Sequence, residues 1–366
     1  MVDTETKGIM ESIPWWYTEI GEIEKTELLD AFAQKRFSLG RISAQLEIRL
    51  AQTLGVPDVV LTNSGTSALT MALLVAGAKP GDEVIVPALT WIATAQAAAV
   101  LGIRVILADC LPDYPLIDPS DVRKKITPRT KAIIPVHLNG RSADLGALEL
   151  IAQASGATLI EDTCKGLMSR KEGACLGTLA DLGCFSLGMI SLLSVGYGGF
   201  VTSHHPDWCD KLRVIRDHGV IRDPEQYAYL GSNFKISDLL AAVGLGQLSR
   251  LDEKIGHVQR IYQQYKEGLS DLEAVQLLPI EVDSGRLPLY VEIFTPDRDQ
   301  LVAYLRKNGV ETSRYHLPLS HAEYLGSQGE LPNAERWASG ILILPSGPSQ
   351  PSENVDRCIE LLRSWR

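Results

Sequence analysis

The chain has 366 residues, enough for a large core divided between one large and one smaller domain. Hydrophobic residues make up 45% and charged residues 22%, the balance of an ordinary soluble globular protein. The net charge of -10, with Lys and Arg scattered, argues against nucleic acid as the main partner, and no charge-free apolar run approaches the about 18 residues that a membrane span needs.

The N-terminus, Met1 to Lys7, is polar and lacks the apolar stretch of a secretion signal, so a cytoplasmic protein is expected. The cysteines (Cys110, Cys164, Cys175, Cys184, Cys209 and Cys358) form no CxxC pair and have no His at zinc spacing. They read as reduced, buried thiols, and no metal site is expected.

Residues 1–12 read as a loose tail, and Ile13-Pro14-Trp15-Trp16-Tyr17 as aromatic and strand-like. Amphipathic helices are expected over 22–35 and 43–54, the second ended by Gly55 and Pro57. The strand Val59–Thr62, the turn Asn63-Ser64-Gly65-Thr66-Ser67 and a helix over 68–76 follow. A strand, a small-residue turn and a helix N-terminus form either an anion site or a plain cap, since backbone N–H groups are unpaired there. The turn is neither a Walker motif nor GxGxxG.

Strands over 82–87, 104–107, 131–136 and 157–160 alternate with helices over 92–101, 118–125 and 144–154. Such alternation of apolar strands with helices predicts an α/β fold with a mainly parallel sheet. The strand Ala157-Thr158-Leu159-Ile160 ends in Glu161 and Asp162, which places Asp162 at the carboxyl edge where open α/β sheets bind ligands. Trp91 and His137 fall just past strand ends on that edge. Trp91 is either a ring-stacking or a core aromatic, and His137 reads as a satisfied structural histidine.

A short strand over 183–186, a Gly-rich return (Gly196-Tyr197-Gly198-Gly199) and a strand over 200–202 come next. The helix 208–216 leads into a long polar segment, 217–235, of a length that is usually functional. Helices over 237–251 and 252–270 follow. Strands over 288–294, 310–313 and 341–344, with helices over 297–308 and 353–365, predict a smaller α+β unit. The division expected is a large domain with an N-terminal arm over 1–250, and a connector helix with a small domain over 251–366.

Gly65-Thr66-Ser67, Thr90-Trp91, His137-Leu138-Asn139-Gly140, Glu161-Asp162, Cys184-Phe185-Ser186, Gly196-Tyr197-Gly198-Gly199 and Gly231-Ser232-Asn233-Phe234-Lys235 occur in one order along the whole chain. Together they resemble the DegT/StrS family of nucleotide-sugar aminotransferases and the related sugar 3-dehydratases. The resemblance implies a fold-type I, aspartate-aminotransferase-like fold with a seven-stranded type of sheet. It also implies pyridoxal or pyridoxamine phosphate as cofactor, and a homodimer with active sites at its interface. By position, Gly65, Thr66, Ser67 and Ser186 would hold the cofactor phosphate, and Asn233 would reach that of the neighbouring subunit. Trp91 would stack on the pyridine ring, and Asp162 would pair with its nitrogen.

The chain departs from that pattern at one point. The Schiff-base lysine of the family lies six residues after the Phe of the Phe-Ser pair, and here Phe185 leads to Ser191. The dehydratase branch carries histidine there, and Ser191 is neither. A serine cannot form an imine and is a poor proton shuttle unless another base activates it. Three residues after Asp162, where the family has Gln, His or Asp, stands Lys165. Either Lys165 takes over part of the missing lysine's work, or it pairs with Glu161 or Glu172. His218 and His316 are further candidate bases, and Arg314-Tyr315-His316 is a candidate substrate contact.

Two classes of function stay open on the sequence. One is a pyridoxal- or pyridoxamine-phosphate enzyme that transaminates or dehydrates a nucleotide-linked keto sugar, for a polysaccharide or a secondary metabolite. The other is a non-catalytic regulatory partner of an active paralogue, or a protein that reuses the pocket for other chemistry.

Overall fold

The computed structural model describes residues 12–35, 37–315 and 317–365. Residues 1–11 of the expected loose tail (1–12) and the candidate base His316 lie outside them.

Two helices, α1 (Glu22–Ala33) and α2 (Arg41–Leu54), precede the sheet. Gly55 ends α2 at φ 72°, a left-handed cap that a Cβ would strain. The alternation then runs β1 (Val59–Thr62), α3 (Gly65–Val75), β2 (Glu83–Pro87), α4 (Ala93–Ala99), β3 (Arg104–Ala108), α5 (Pro119–Lys125), β4 (Thr130–Ile133), α6 (Leu145–Ser155) and β5 (Thr158–Asp162). A small hairpin, β6 (Arg170–Lys171) and β7 (Ala174–Cys175), leads to β8 (Leu182–Ser186), β9 (Gly199–Thr202) and α7 (Pro206–Arg216). The hairpin β10 (Val220–Arg222) with β11 (Glu225–Tyr227) precedes α8 (Asp238–Ser249) and the long α9 (Leu251–Gly268). Last come β12 (Gln276–Leu277), β13 (Val291–Phe294), α10 (Arg298–Lys307), β14 (Ser313–Arg314), α11 (Pro332–Gly340), β15 (Ile341–Leu344) and α12 (Ser352–Ser364).

The large sheet has seven strands in the order β1-β9-β8-β5-β4-β2-β3. Only β9 runs against the rest, pairing antiparallel with both β1 and β8. The expected mainly parallel α/β architecture is therefore present. Its strands are apolar because helices cover both faces: every residue of β1, β2 and β9 is buried. Each such Val or Leu contributes roughly 1.5–3 kcal/mol relative to exposure.

A second, antiparallel sheet of four strands, β12-β13-β15-β14, has its own apolar cluster. Tyr262 and Tyr265 of α9 and Cys358 and Leu362 of α12 pack there against Ile293 and Leu342. The aromatic segment near the N-terminus is strand-like as expected: Ile13 bridges to Val310 and Trp16 to Ser346.

Several details differ from the sequence reading. The segment 217–235 folds partly into the β10–β11 hairpin, pinned by Asp217, which bonds Arg222 at 2.5 Å and Lys235. Val310 makes only an isolated bridge, and the strand proper starts at Ser313. The helix α11 went unforeseen because its Trp337 and Ala338 lie among charges, although Pro332 at its first turn is a start signal. Helix α3 begins at Gly65 rather than Ala68, because Ser64 caps it by accepting from the Ser67 N–H at 3.0 Å. The six cysteines are free thiols, five buried and Cys164 half-buried. Among the described residues, no helix is long and apolar enough to cross a membrane, and no cluster of three or more His, Cys, Asp or Glu is placed to hold a metal ion.

Candidate functional site

The carboxyl ends of β1, β2, β5 and β8 open onto one cavity of about 590 Å³, a size typical of small-molecule sites. Each loop that leaves those ends supplies part of its wall. Ser64, Gly65 and Thr66 come from the start of α3, Thr90 and Trp91 follow β2, and Asp162, Cys164 and Lys165 follow β5. Ser186, Met189 and Ile190 follow β8, and Gly196, Tyr197 and Gly198 come from the Gly-rich return. Tyr290, Ser313, Tyr315 and Ile343, from the second sheet and its approaches, close the opposite side.

Asp162 is buried, and its carboxylate is held at both oxygens. Oδ2 accepts from the Thr94 hydroxyl at 2.8 Å and Oδ1 from the Cys164 N–H at 3.1 Å. The Thr94 hydroxyl lies 3.2 Å from that of Thr90, so a hydroxyl chain from the start of α4 steadies the acid. Such charge-assisted bonds fix the direction of a carboxylate more firmly than neutral ones. Thr94 was missed in the sequence. Its spacing of four residues from Thr90, at a helix start beside a strand end, was the available signal.

His137 lies behind the site rather than in it, as expected of a structural histidine. Its Nδ1 accepts from the Ala143 N–H at 3.2 Å, so Nε2 carries the hydrogen and donates to Glu161 at 2.8 Å. Glu161 also accepts from the N–H groups of Gly177, Leu179 and Ala180. Burial alone would raise the Glu161 pKa. The bonds from His137, Gly177 and Leu179 outweigh it and hold the carboxyl below its ordinary range.

The floor beside α3 is shaped by absent side chains. A Cβ at Gly65 would sit 2.9 Å from Cys164 Sγ and 3.0 Å from Ser186 Cβ. At Gly199 it would sit 2.6 Å from the Phe185 carbonyl oxygen. The α3 N-terminus, which carries Thr66, thus faces Ser186 across a narrow cradle, where the helix dipole favours an anion. Trp91, 53% exposed, stands at the cavity wall.

Lys165 is half-buried at the wall and donates to the Ile190 carbonyl. Desolvation pulls its pKa below the ordinary lysine value, more than Cys164 and Asp162 raise it. The alternative pairing with Glu161 or Glu172 is absent among the described ion pairs. Burial pushes the Cys164 thiol well up, so it is no ready nucleophile.

Several expected site residues are not brought to this cavity. The Ser67 hydroxyl is spent on the α3 cap, donating to Asn63 at 2.6 Å and accepting from Ser64 at 2.9 Å; Ser64 takes its place in the wall. Arg314 alternates away from Ser313 and Tyr315, with its guanidinium 3.4 Å from Asp299 at the surface. His218 is exposed past α7, in a turn at φ 63°. Asn233 is exposed too, and its carbonyl accepts from Asn63.

Ser191 is not brought to the cavity wall either. It is 1% exposed, lies outside the cavity wall, and its hydroxyl has no hydrogen-bond partner among the described residues. Its neighbours Leu187, Leu192, Leu193 and Val195 are buried and pull the loop into the core. Ser191→Ala is therefore expected to leave cofactor binding intact and to raise stability by up to about 1 kcal/mol, since a buried unpaired hydroxyl is costly. Thermal melting with a cofactor titration checks this; a loss of binding would restore Ser191 to the site.

The chain's residues 18–363 match the model of the DegT/DnrJ/EryC1/StrS aminotransferase family. It is 32% identical over 336 residues to dTDP-3-amino-3,4,6-trideoxy-alpha-D-glucose transaminase of Streptomyces venezuelae, covering 90% of this chain and 88% of that protein. It is 33% identical over 349 residues to the pleiotropic regulatory protein of Geobacillus stearothermophilus, covering 92% of each. Among solved structures, S. venezuelae DesV in complex with a ketimine intermediate superposes with a TM-score of 0.91 at 30% identity, covering 97% of this chain and 98% of that one.

Proposed function

The chain belongs to the DegT/DnrJ/EryC1/StrS aminotransferase family, whose enzymes depend on pyridoxal or pyridoxamine phosphate, and from that premise we propose that it transfers an amino group to a nucleotide-linked keto sugar. The observation that carries the proposal is the Asp162 carboxylate, held by Thr94 and Cys164 in one cavity with the anion cradle at Gly65. The residues present fit the cofactor. The cradle is too narrow for a Cβ at Gly65, its donors suit a phosphate, and a buried acid and an indole stand in the same cavity.

In this reading the α3 N-terminus, Thr66 and Ser186 hold the phosphate, Trp91 covers one ring face, and Asp162 meets the ring nitrogen. Bound there, the cofactor supplies an electron-poor ring that stabilises negative charge on the substrate carbon joined to it. Asp162 holds a proton at the ring nitrogen, and its bond from Thr94 keeps the accepting oxygen aimed. Trp91, Leu138 and Ile343 give the cavity apolar walls. The Tyr290 and Tyr315 hydroxyls, 3.3 Å apart, offer hydrogen bonds to a sugar. Dehydration of the same substrate class is the other reaction proposed for this cavity. The protein in this reading is a cytoplasmic homodimer in which the exposed Asn233 reaches the partner's phosphate cradle.

A second reading has two observations in its favour: Ser191 at the family's lysine position, and similarity to a protein named for regulation. It is a cofactor- or sugar-binding regulator without turnover.

Pyridoxamine phosphate is expected to bind the purified protein in equilibrium dialysis at one molecule per chain. Amino transfer is then expected from the loaded protein to a nucleotide-linked keto sugar. Binding without transfer would favour the regulator, and no binding would sink both.

A further inference from the structure

We infer that Lys165 is the reactive amine of this cavity, and that it bonds covalently and reversibly to the aldehyde carbon of pyridoxal phosphate held there. The inference rests on the cofactor reading above. Its first support is exclusion. Among the described residues that line the cavity, Lys165 is the only one with an amino group, and none is an arginine or a histidine. An aldehyde held between the Gly65 cradle and Asp162 meets no other nitrogen nucleophile on those walls.

The second support is the way the side chain is held. It leaves the turn after β5, where the Gly166 N–H donates to the Thr163 carbonyl at 3.0 Å. A Cβ at Gly166 would come within 3.1 Å of Thr163 Cγ2 and 3.2 Å of His137 Cβ, so the backbone is packed tightly against the buried His137. From this fixed base the chain crosses to the Ile190 carbonyl, immediately before Ser191. The amine thus reaches the backbone of the loop after β8 from the neighbouring strand end.

The third support is the shortage of partners for a charged form. An ammonium has three hydrogens to place. The Ile190 carbonyl accepts one, and no carboxylate pairs with Nζ among the described ion pairs. The nearby acid Asp162 is engaged by Thr94 and by the Cys164 N–H. Desolvation accordingly favours the neutral amine, whose lone pair is what a carbonyl carbon needs.

The step balances without oxidant or reductant. The nitrogen lone pair of Lys165 adds to the aldehyde carbon. A carbon–nitrogen double bond then replaces the carbon–oxygen double bond, and both amine hydrogens leave with the oxygen as water.

The test uses the full-length protein with pyridoxal phosphate, trapped with cyanoborohydride and mapped by peptide mass. The expected result is one pyridoxyl group per chain, on Lys165. The modified lysine resists trypsin, so the label appears on a peptide spanning Ser142–Arg170. Lys165→Ala and Lys165→Gln should both lose this label and still bind pyridoxamine phosphate, which has no aldehyde, in equilibrium dialysis. The glutamine variant guards against a folding defect in the alanine variant. If pyridoxamine phosphate binds but the label falls on other lysines, or the variants label as well as the parent, the inference is overturned and the cofactor reading stands. If pyridoxamine phosphate does not bind the parent protein, the cofactor reading fails and the inference falls with it.

Discussion

Removing the carboxylate of Glu292 is expected to destabilise the protein by about 3–5 kcal/mol. Glu292 lies on β13 of the small sheet, 1% exposed, and accepts from Arg141, which is equally buried and follows β4 of the large sheet. Asn139 donates to the same carboxylate at 2.8 Å and to the Tyr290 carbonyl, and accepts from the Tyr290 N–H at 3.0 Å. The Arg141 Nε reaches the Pro279 carbonyl at 3.2 Å, and the guanidinium lies over the Tyr114 ring. Desolvation alone would lower the Arg141 pKa; Glu292 outweighs it and keeps the charge.

Glu292→Ala leaves that charge buried without a counter-charge, which costs far more than the pair itself contributes. The urea midpoint should therefore fall at an unchanged slope. Arg141→Met combined with Glu292→Leu should recover most of the loss, because the desolvation cost disappears with the charges. A Glu292→Ala protein within about 1 kcal/mol of the parent would mean that the two sheets are not joined through this pair. Tyr290 is both a cavity wall and a partner of Asn139, so turnover should fall together with stability.

This junction was not legible in the sequence, and the reason is physical. Asn139 and Arg141 are separated from Glu292 by about 150 residues, and nothing in local pattern or spacing announces a long-range ion pair. The sheet was legible because each strand must bury both faces, which leaves apolar runs such as Val84-Ile85-Val86, and because strand ends point ligand groups one way. Asp162, Trp91, Gly65 and Thr66 could be placed at one edge for that reason, whereas Ser186 was implied by the family resemblance alone. Side-chain direction could not. Ser67 is drawn into a cap, Arg314 alternates outward beside Ser313, and Ser191 is carried into the core by flanking leucines. Each is within a residue or two of the wall, and only the local backbone decides the face. Lys165 stood out in the sequence as a departure from pattern; its desolvation and its reach to Ile190 needed the folded chain.

Asp162→Asn is expected to lower the rate of amino transfer roughly 10²–10³-fold, the scale of losing one aimed electrostatic group at a reacting centre. The substitution keeps the size and planarity of the side chain, and one oxygen that can still accept from Thr94 or from the Cys164 N–H. What it removes is the negative charge. A neutral amide cannot hold a proton on a pyridine nitrogen as a carboxylate does, so the ring withdraws fewer electrons where the transition state needs them most. Thermal stability and pyridoxamine phosphate binding should change little, because the substitution leaves the cradle at Gly65, Thr66 and Ser186 untouched. Thr94→Val separates aim from charge. It leaves the carboxylate ionised but frees one oxygen, and its expected loss is roughly tenfold, the scale of one hydrogen bond to a charged group. Single-turnover transfer from loaded protein to a keto sugar nucleotide measures both. If the asparagine variant turns over at the parental rate, Asp162 is not the electron-sink partner, and the cavity's chemistry must be assigned to other residues.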